Sequence, residues 1–277
     1  MTRRYINRAT LQLKPVVFLP QLIPKGKLVH SGILSPDSTK YFFTISDAKL
    51  SKFDVMVSEY KYGEWTEPKY THFNSEYNEH GTAFSADGKI IYFSSTRPVS
   101  GLDIKTWKLW KVDLQKGSLE PEYVEIPNLK NKLVSHPSLT GDGVLYLHAG
   151  NSDYSDLNIY RCLPDGDEFL DAKKLSGSIN FGTQHCTPFV SRDESYLIFE
   201  CSGELYISSR DTLEDWNRAV RLNSKVNRDN RGNPFVSADG EFLFYASASE
   251  SDPNAKWQIE VINFGEAIKP DSTLLQR

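Results

Sequence analysis

Hydrophobic and polar residues alternate along most of the chain in short runs, and a period of two is typical of β-strands rather than helices. The segment FSADGKIIYFSS, from Phe84 to Ser95, illustrates the pattern. An apolar strand end leads into a polar turn, and a second apolar strand follows. The pattern therefore predicts a chain built mainly of β-hairpins.

Five segments repeat this strand–turn–strand pattern at intervals of roughly 45 to 55 residues, a spacing typical of propellers and solenoids. They are Leu34–Thr44, Phe84–Ser94, Leu139–Ala149, Val190–Glu200 and Val236–Ala246. In each one a Ser or Thr is followed two residues later by an Asp, namely Asp37, Asp87, Asp142, Asp193 and Asp239. Such an Asp can accept hydrogen bonds from the amides of a tight turn. We interpret these aspartates as turn formers, not catalysts.

A third strand and an outer strand follow most of these hairpins, as in FDVMVSEY and then EWTEPKYTHF. Four strands per repeat is the make-up of a propeller blade. The fifth repeat lacks an outer strand, but KPVVFLP, from Lys14 to Pro20, could supply it and close the ring. The sequence predicts an all-β fold, a single five-bladed β-propeller domain over residues 1–277. Six blades remain an alternative if residues 1–30 hold a degenerate blade.

The hairpins SPDSTKYFFT and SADGKIIYFSSTRP, together with GELYISSR, resemble the TolB-like family of WD-type propeller repeats. The resemblance covers nearly the whole chain. It implies the propeller fold, whereas propellers of this kind include binding modules, sensors and a few sugar-acting enzymes. A Glu that the family places before each hairpin is present only once, as Glu79.

Composition limits the possible partners. The net charge is −4 with a pI of about 5.9, so the chain lacks the basic excess typical of nucleic-acid binders. No apolar run is long enough to span a membrane, and three cysteines make no disulfide framework. We expect a cytoplasmic protein as the sequence stands, or a secreted or periplasmic one if a leader was removed. No nucleotide-binding motif is present, so no nucleotide cofactor is expected.

Chemically active side chains collect just before and just after the hairpins. Because each hairpin returns to the face where it began, these residues should meet at one mouth of the central channel. The residues before the hairpins include four histidines, His30, His80, His136 and His185, and those after them include Arg97, His148 and Glu200. Straight pairing along two hairpins predicts that His136 lies opposite His148 and that Cys186 lies opposite Cys201.

Three kinds of chemistry could use such a mouth. A divalent metal (Zn, Mn or Fe) could bind His80, His136, His148 and His185. Acid–base catalysis could use His80, His136, His185, Glu79 and Glu200. Substrate, in particular an anionic group, could be held by Arg231, Arg97, Asn233 and His30. The resemblance adds that oligogalacturonate lyases, which are TolB-like, hold a metal with His and Gln residues at this mouth, and TQHCTPF is loosely similar to that arrangement.

The sequence therefore predicts a small-molecule enzyme, a lyase, hydrolase or isomerase acting on a polar or anionic substrate such as an oligosaccharide. The alternative is a propeller without catalytic activity that binds a protein or peptide on the same face. Histidines that merely cap strands are the structural alternative for each single residue.

Overall fold

A computed structural model describes residues 14–116, 120–210, 215–248 and 257–271. It confirms the predicted fold, because five antiparallel sheets are arranged as the blades of a propeller, four of them with four strands and that of blade 1 with one additional short strand. The innermost strand of each blade contacts the innermost strand of the next, and the last contacts the first. The ring is therefore closed around a central channel.

The strands are numbered along the chain, and β1 (Val16–Val17) precedes blade 1. Blade 1 contains β2 (Leu28–Leu34), β3 (Lys40–Ser46), β4 (Phe53–Lys61), β5 (Glu64–Trp65) and β6 (Lys69–Tyr70). Blade 2 contains β7 (Glu79–Phe84), β8 (Ile90–Ser95), β9 (Lys108–Asp113) and β10 (Glu122–Tyr123). Blade 3 contains β11 (Leu133–Leu139), β12 (Leu145–Gly150), β13 (Asn158–Cys162) and β16 (Lys173–Lys174), with a small hairpin of β14 (Pro164–Asp165) and β15 (Glu168–Phe169).

Blade 4 contains β17 (His185–Val190), β18 (Tyr196–Cys201), β19 (Glu204–Ser209) and β20 (Val220–Arg221). Blade 5 contains β21 (Asn230–Val236), β22 (Phe242–Ala248) and β23 (Gln258–Asn263). Helical structure in the described residues is limited to one short helix, α1 (Phe264–Ala267), and two 3₁₀ turns, Pro20–Leu22 and Pro127–Leu129. No helix in these residues is long and apolar enough to cross a membrane.

The N-terminal strand completes the last blade, as the sequence predicts. Strand β1 pairs antiparallel with β23, with Val16 opposite Val261 and Val17 opposite Glu260. Phe18 follows it into the apolar layer between blades 5 and 1, where its ring lies 5.2 Å from Tyr41 and 4.9 Å from Phe244. Since this segment is the outer strand of blade 5, the ring has five blades, and the six-bladed alternative is wrong.

The repeated Ser–x–Asp turns are structural, as interpreted from the sequence. In blade 2 the Ser85 hydroxyl donates to the Asp87 carboxylate at 2.8 Å, and the amide of Lys89 donates to the same carboxylate at 3.1 Å. The Ser85 hydroxyl also accepts from the Ile90 amide at 3.0 Å, which starts the second strand of the hairpin. The turn therefore uses both side chains to satisfy its own backbone groups.

A β-bulge interrupts every inner strand between the mouth and the turn, at the same place in blades 2 to 5 and slightly nearer the mouth, at His30, in blade 1. The bulge adds one residue to the inner strand, and pairing beyond it is therefore shifted by one position. His148 lies opposite Ser135 rather than His136. Cys201 lies opposite His185, and Cys186 lies opposite Glu200. Both cross-strand pairings predicted from the sequence are wrong for this reason.

Buried asparagines fasten the segments that connect successive blades. Asn227 accepts a hydrogen bond from the Leu205 amide at 2.8 Å and donates to the Leu205 carbonyl at 2.9 Å. Asn74 and Asn180 make the same pair of bonds to Val55 and Ile159. Each asparagine thus supplies both hydrogen bonds that a neighbouring strand would otherwise provide to the third strand.

Candidate functional site

Four histidines gather where the inner strands begin, at the end of the channel away from the Asp turns. The ring centroids lie 6.2 Å apart for His30 and His80, 4.5 Å for His80 and His136, and 4.9 Å for His136 and His148. Blades 1, 2 and 3 therefore contribute a continuous line of imidazoles. We call these four residues the histidine line.

A ring of bulge residues narrows the channel beside this line. The residue four positions before the turn Ser or Thr is Gly81, His136, Thr187 or Asn233 in blades 2 to 5, and each has a positive φ, between 46° and 57°. The Asn233 amide donates to the Thr187 hydroxyl at 3.1 Å, and the Asn233 side chain donates to the His30 carbonyl at 2.8 Å. His136 is itself a bulge residue, whereas His80 lies just before the bulge of its own strand.

Hydrogen bonds orient three of the imidazoles. His30 Nε2 lies 2.7 Å from the Ser46 hydroxyl, and His136 Nδ1 lies 2.9 Å from the Ser135 hydroxyl. His148 Nδ1 accepts from the Thr187 amide at 3.1 Å, which joins blade 3 to blade 4. Among the described residues, His80 Nδ1 and His136 Nε2 make no hydrogen bond of normal geometry, although both atoms are buried. His80 Nδ1 is thus left unpaired, whereas the His136 ring also interacts with the Asn233 side chain.

Burial keeps the histidine line neutral. It lowers the pKa of His30 to about 4 and the pKa of His148 to about 3. Burial also lowers the pKa of His80 and of His136 well below the usual value, and the neighbouring imidazoles add to the effect. Neutral imidazoles can donate or accept hydrogen bonds at neutral pH, but they carry no proton to release as an acid.

Glu200 is the carboxyl group at this mouth with a pKa near neutrality. It takes the position in blade 4 that His148 takes in blade 3, because each pairs with the inner-strand residue just before the bulge, Cys186 or Ser135. Burial raises its pKa to about 7, although its Oε1 accepts a hydrogen bond from the Gly203 amide at 2.9 Å. Its Oε2 faces Gly232, whose missing side chain leaves the carboxyl room. A carboxyl group with this pKa can both give and take a proton near pH 7.

The histidine line does not have the geometry of a metal site. Within residues 14–116, 120–210, 215–248 and 257–271, no three His, Cys, Asp or Glu side chains are placed to hold one ion. His136 and His148 are stacked, with 24° between their planes, so their ring edges run side by side instead of converging. His148 Nδ1 is also occupied by the Thr187 amide. The described residues therefore do not fit the predicted divalent metal.

His185 lies away from the other histidines. It is fully buried, and its ring packs 5.2 Å from Phe181 and 6.0 Å from Phe199. Its Nε2 accepts a hydrogen bond from the Gly182 amide at 3.3 Å. Neighbouring residues of a strand point to opposite faces, so His185 faces blade 3 while Cys186 faces the channel side with Glu200. The structure does not bring His185 to the mouth.

Glu79 and Arg97 bind each other instead of facing the channel. The Glu79 side chain is inaccessible to solvent and accepts hydrogen bonds from the Ser75 hydroxyl at 2.7 Å and the Ser95 hydroxyl at 3.1 Å. Arg97 Nη2 lies 3.3 Å from Glu79 Oε1 and also donates to the Phe73 carbonyl. This ion pair fastens blade 2 to the segment that precedes it, and neither side chain is free to bind substrate.

Arg231 is likewise used inside the protein. Its side chain is 1% exposed and donates to the carbonyls of Val226 and Asn230, each at 2.7 Å. Its guanidinium also lies over the Tyr245 ring, 5.8 Å from the centroid. Asn233, by contrast, lies in the ring that narrows the channel. Of the four predicted substrate-binding residues, the structure therefore places His30 and Asn233 at the mouth and Arg97 and Arg231 within the blades.

Aromatic side chains border the histidine line, and sequence reasoning missed most of them. The Phe53 ring lies 5.1 Å from His30, Trp257 lies 5.8 Å from His30, and Trp107 lies 6.1 Å from His80. Trp107 is held in place because its Nε1 donates to the Tyr154 hydroxyl at 2.9 Å. Phe53 begins the third strand of blade 1, and Trp257 directly precedes the third strand of blade 5. This shared position is the sequence feature that could have identified them as residues of the mouth. The segment from Ser247 to Trp257 lies mostly outside the described residues.

No protein-family model matches the chain, and no curated protein matches it. Solved structures do match. A protein assigned as a TolB of Agrobacterium tumefaciens has a TM-score of 0.56 and 12% identity, over 89% of this chain and 80% of that one. A gluconolactonase from Xanthomonas campestris has a TM-score of 0.51 and 7% identity, over 90% and 94%. A PQQ-bound aldose sugar dehydrogenase from Streptomyces coelicolor has a TM-score of 0.50 and 12% identity, over 90% of this chain and 84% of that one.

Identities this low establish the fold and nothing further. The predicted resemblance to TolB-like propellers is confirmed at that level.

Proposed function

We propose that the mouth bordered by the histidine line and Glu200 is the active site of a small-molecule enzyme. The observation that carries this proposal is the contrast in protonation around one opening. Glu200 has a pKa of about 7, while His30 and His148 are neutral with pKa values of about 4 and 3. Titratable groups whose environments separate their pKa values are typical of acid–base sites.

In this proposal Glu200 transfers the proton, and the histidines bind. A half-protonated carboxyl group can take a proton from a substrate carbon or hydroxyl and return it to a leaving oxygen. The His136 imidazole, which is only partly buried, contacts and orients polar groups of the substrate. Eliminations, hydrolyses and isomerisations by proton transfer need only these functions, so we assign the enzyme to the lyases, hydrolases or isomerases.

The substrate class follows from the walls of the mouth. Indole and phenyl faces at Trp107, Trp257 and Phe53 suit the apolar faces of sugar rings, and the imidazoles suit the hydroxyl groups. We therefore propose a carbohydrate or a sugar derivative. The sugar-directed activities named for the Xanthomonas and Streptomyces proteins make lactones of sugars and aldoses the first compounds to test.

The test is turnover of these compounds by the wild-type chain and by Glu200→Gln. We expect kcat to fall by about 100-fold or more in the variant, which is typical for loss of a general acid or base. Glu67→Gln is the matched control, because Glu67 is exposed at the rim of blade 1. Full activity in Glu200→Gln contradicts the assignment. If no compound binds while a protein partner protects the mouth from labelling, the propeller is a binding module instead.

A further inference from the structure

A second cavity opens at the other end of the channel, on the face that carries the Asp turns. Its volume is about 310 Å³, and all five blades line it. Cavities of this size, roughly 300 Å³ and above, hold small ligands in other proteins. We call it the turn-side cavity.

The turn-side cavity is separate from the mouth. Between the two lies the constriction formed by the ring of bulge residues, which encloses only about 40 Å³. The Gly81 Cα position lies so close to the next blade that a Cβ there would meet the His136 ring at 2.9 Å. A molecule larger than a few water molecules that enters from the turn side therefore stops at this constriction.

Apolar side chains make up most of the wall. They come from the inner strands, one to three positions before the turns, and the largest are Phe189, Phe235, Phe84, Pro188, Pro234 and Ile33. Packing fixes the rings in place, with Phe189 and Phe235 5.7 Å apart and Phe84 5.4 Å from Phe42. The wall is therefore preformed, so ordering its side chains on ligand binding would cost little free energy.

The hydroxyl groups of the turn serines in the wall are already used. The Ser191 and Ser237 hydroxyls each accept a strand amide, from Tyr196 at 3.0 Å and from Phe242 at 3.1 Å. The Ser237 hydroxyl also donates to the Asp239 carboxylate at 2.6 Å. Such groups offer little to a polar ligand, so the part of a ligand inside the cavity must be apolar.

The rim of the cavity is acidic. Asp193 and Arg192 line the opening. Asp37, Asp87 and Asp239 are the next residues along the chain after Pro36, Ala86 and Ala238, which also line it, and Lys89 lies in the turn of Asp87. Arg192 donates to the Ala86 carbonyl at 3.1 Å, and Lys89 lies 3.1 Å from Asp87. Hydrogen bonds within the turns lower the pKa of Asp87 to about 2 and lower the pKa of Asp193 as well. The rim therefore stays negatively charged at neutral pH and attracts cations.

We propose that the turn-side cavity binds a small amphiphilic cation, with an aromatic or aliphatic body in the apolar chamber and an ammonium group at the acidic rim. The Phe189 and Phe235 rings of the chamber suit the apolar body of such a ligand. This site uses none of the residues assigned to the mouth.

The test compares two probes with the same body, 4-phenylbutylamine and 4-phenylbutyrate, by isothermal titration or ligand-observed NMR. We expect the amine to bind with a dissociation constant on the order of 0.1–1 mM, as befits a ligand of this size. We expect the carboxylate to bind at least about tenfold more weakly at low salt, since the rim repels it.

The site is assigned by filling its entrance. Ala238 is exposed and lines the cavity, so Ala238→Trp should weaken binding of the amine by about tenfold or more. Ala86→Trp, at another point of the lining, should act in the same way. Ala48→Trp is the control, because Ala48 is exposed beyond the mouth-side end of β3 and should leave the affinity unchanged. Equal affinity for both probes, or unchanged affinity in both cavity variants that still melt cooperatively, overturns the proposal.

Discussion

The imidazoles of His80 and His136 lie 4.5 Å apart between ring centroids, although the two residues occupy different positions in their inner strands. His80 precedes the bulge of blade 2, whereas His136 is the bulge residue of blade 3, with φ at 54°. The bulge turns the His136 ring towards blade 2. An irregularity of the backbone, and not the regular repeat, thus brings the two rings together.

The neutral state of these histidines predicts an acid-sensitive fold. Burial lowers the pKa of His136, so in the folded protein it stays neutral while the unfolded chain takes up a proton near pH 6.5. The free energy of unfolding should therefore fall as the pH drops below about 6.5. Each such histidine contributes a slope of up to about 1.4 kcal/mol per pH unit.

The variant His136→Asn keeps a residue type that accepts positive φ and removes one titrating group. Urea unfolding between pH 7 and 5 should show a shallower slope for this variant than for the wild type. His72→Asn is the control, because His72 is exposed and should change the slope less. An identical slope in His136→Asn and wild type would mean that His136 is already charged in the folded protein.

A single Cβ at Gly81 should disturb both the ring and the histidine line. Gly81 has φ at 57°, and an added Cβ would lie 2.9 Å from His136 Cδ2 and 3.3 Å from its Cα. We expect Gly81→Ala to lower the free energy of unfolding by about 2–3 kcal/mol, since strain and a clash both contribute. Gly101 has φ at 79°, and a Cβ added there would have no other atom within 4 Å, so Gly101→Ala measures the cost of backbone strain without a clash. Its expected cost is about 1 kcal/mol. Equal costs for both variants contradict the close approach.

Sequence patterns predicted the scaffold because every blade repeats it. The Ser–x–Asp turns, the strand order and the closure by Val16 and Val17 all follow from local periodicity. The site was predicted less completely. The bulges move His148 opposite Ser135, and they carry no residue type in common, being Gly81, His136, Thr187 and Asn233. A shift of one residue reverses the face on which a side chain lies, so the channel side could not be assigned from alternation alone.

The buried asparagine between blades 4 and 5 should matter for stability rather than for activity. Asn227 bonds the amide and carbonyl of Leu205 and donates to the Leu222 carbonyl at 3.0 Å. Asn227→Ala leaves these buried groups without partners, and we expect a loss of about 2–4 kcal/mol in urea unfolding. Asn217→Ala, on an exposed asparagine of the same blade, should cost less than about 1 kcal/mol. Unchanged stability in Asn227→Ala would show that water replaces the side chain.

The buried carboxyl group of Glu200 should destabilise the fold at high pH. Its pKa rises from 4.5 to about 7 on folding, so the folded state holds a proton that the unfolded state has released between these values. The contribution is neutral below about pH 4.5 and becomes unfavourable as the pH rises through 7. A shift of this size corresponds to about 3 kcal/mol.

Glu200→Gln imitates the protonated form. Its free energy of unfolding should therefore match that of the wild type near pH 4.5 and exceed it by up to about 3 kcal/mol at pH 8. Because the histidines titrate alike in both proteins, the difference between the two unfolding free energies isolates Glu200. A difference that does not change between pH 4.5 and 8 would mean that water reaches the carboxyl group and that it ionises normally.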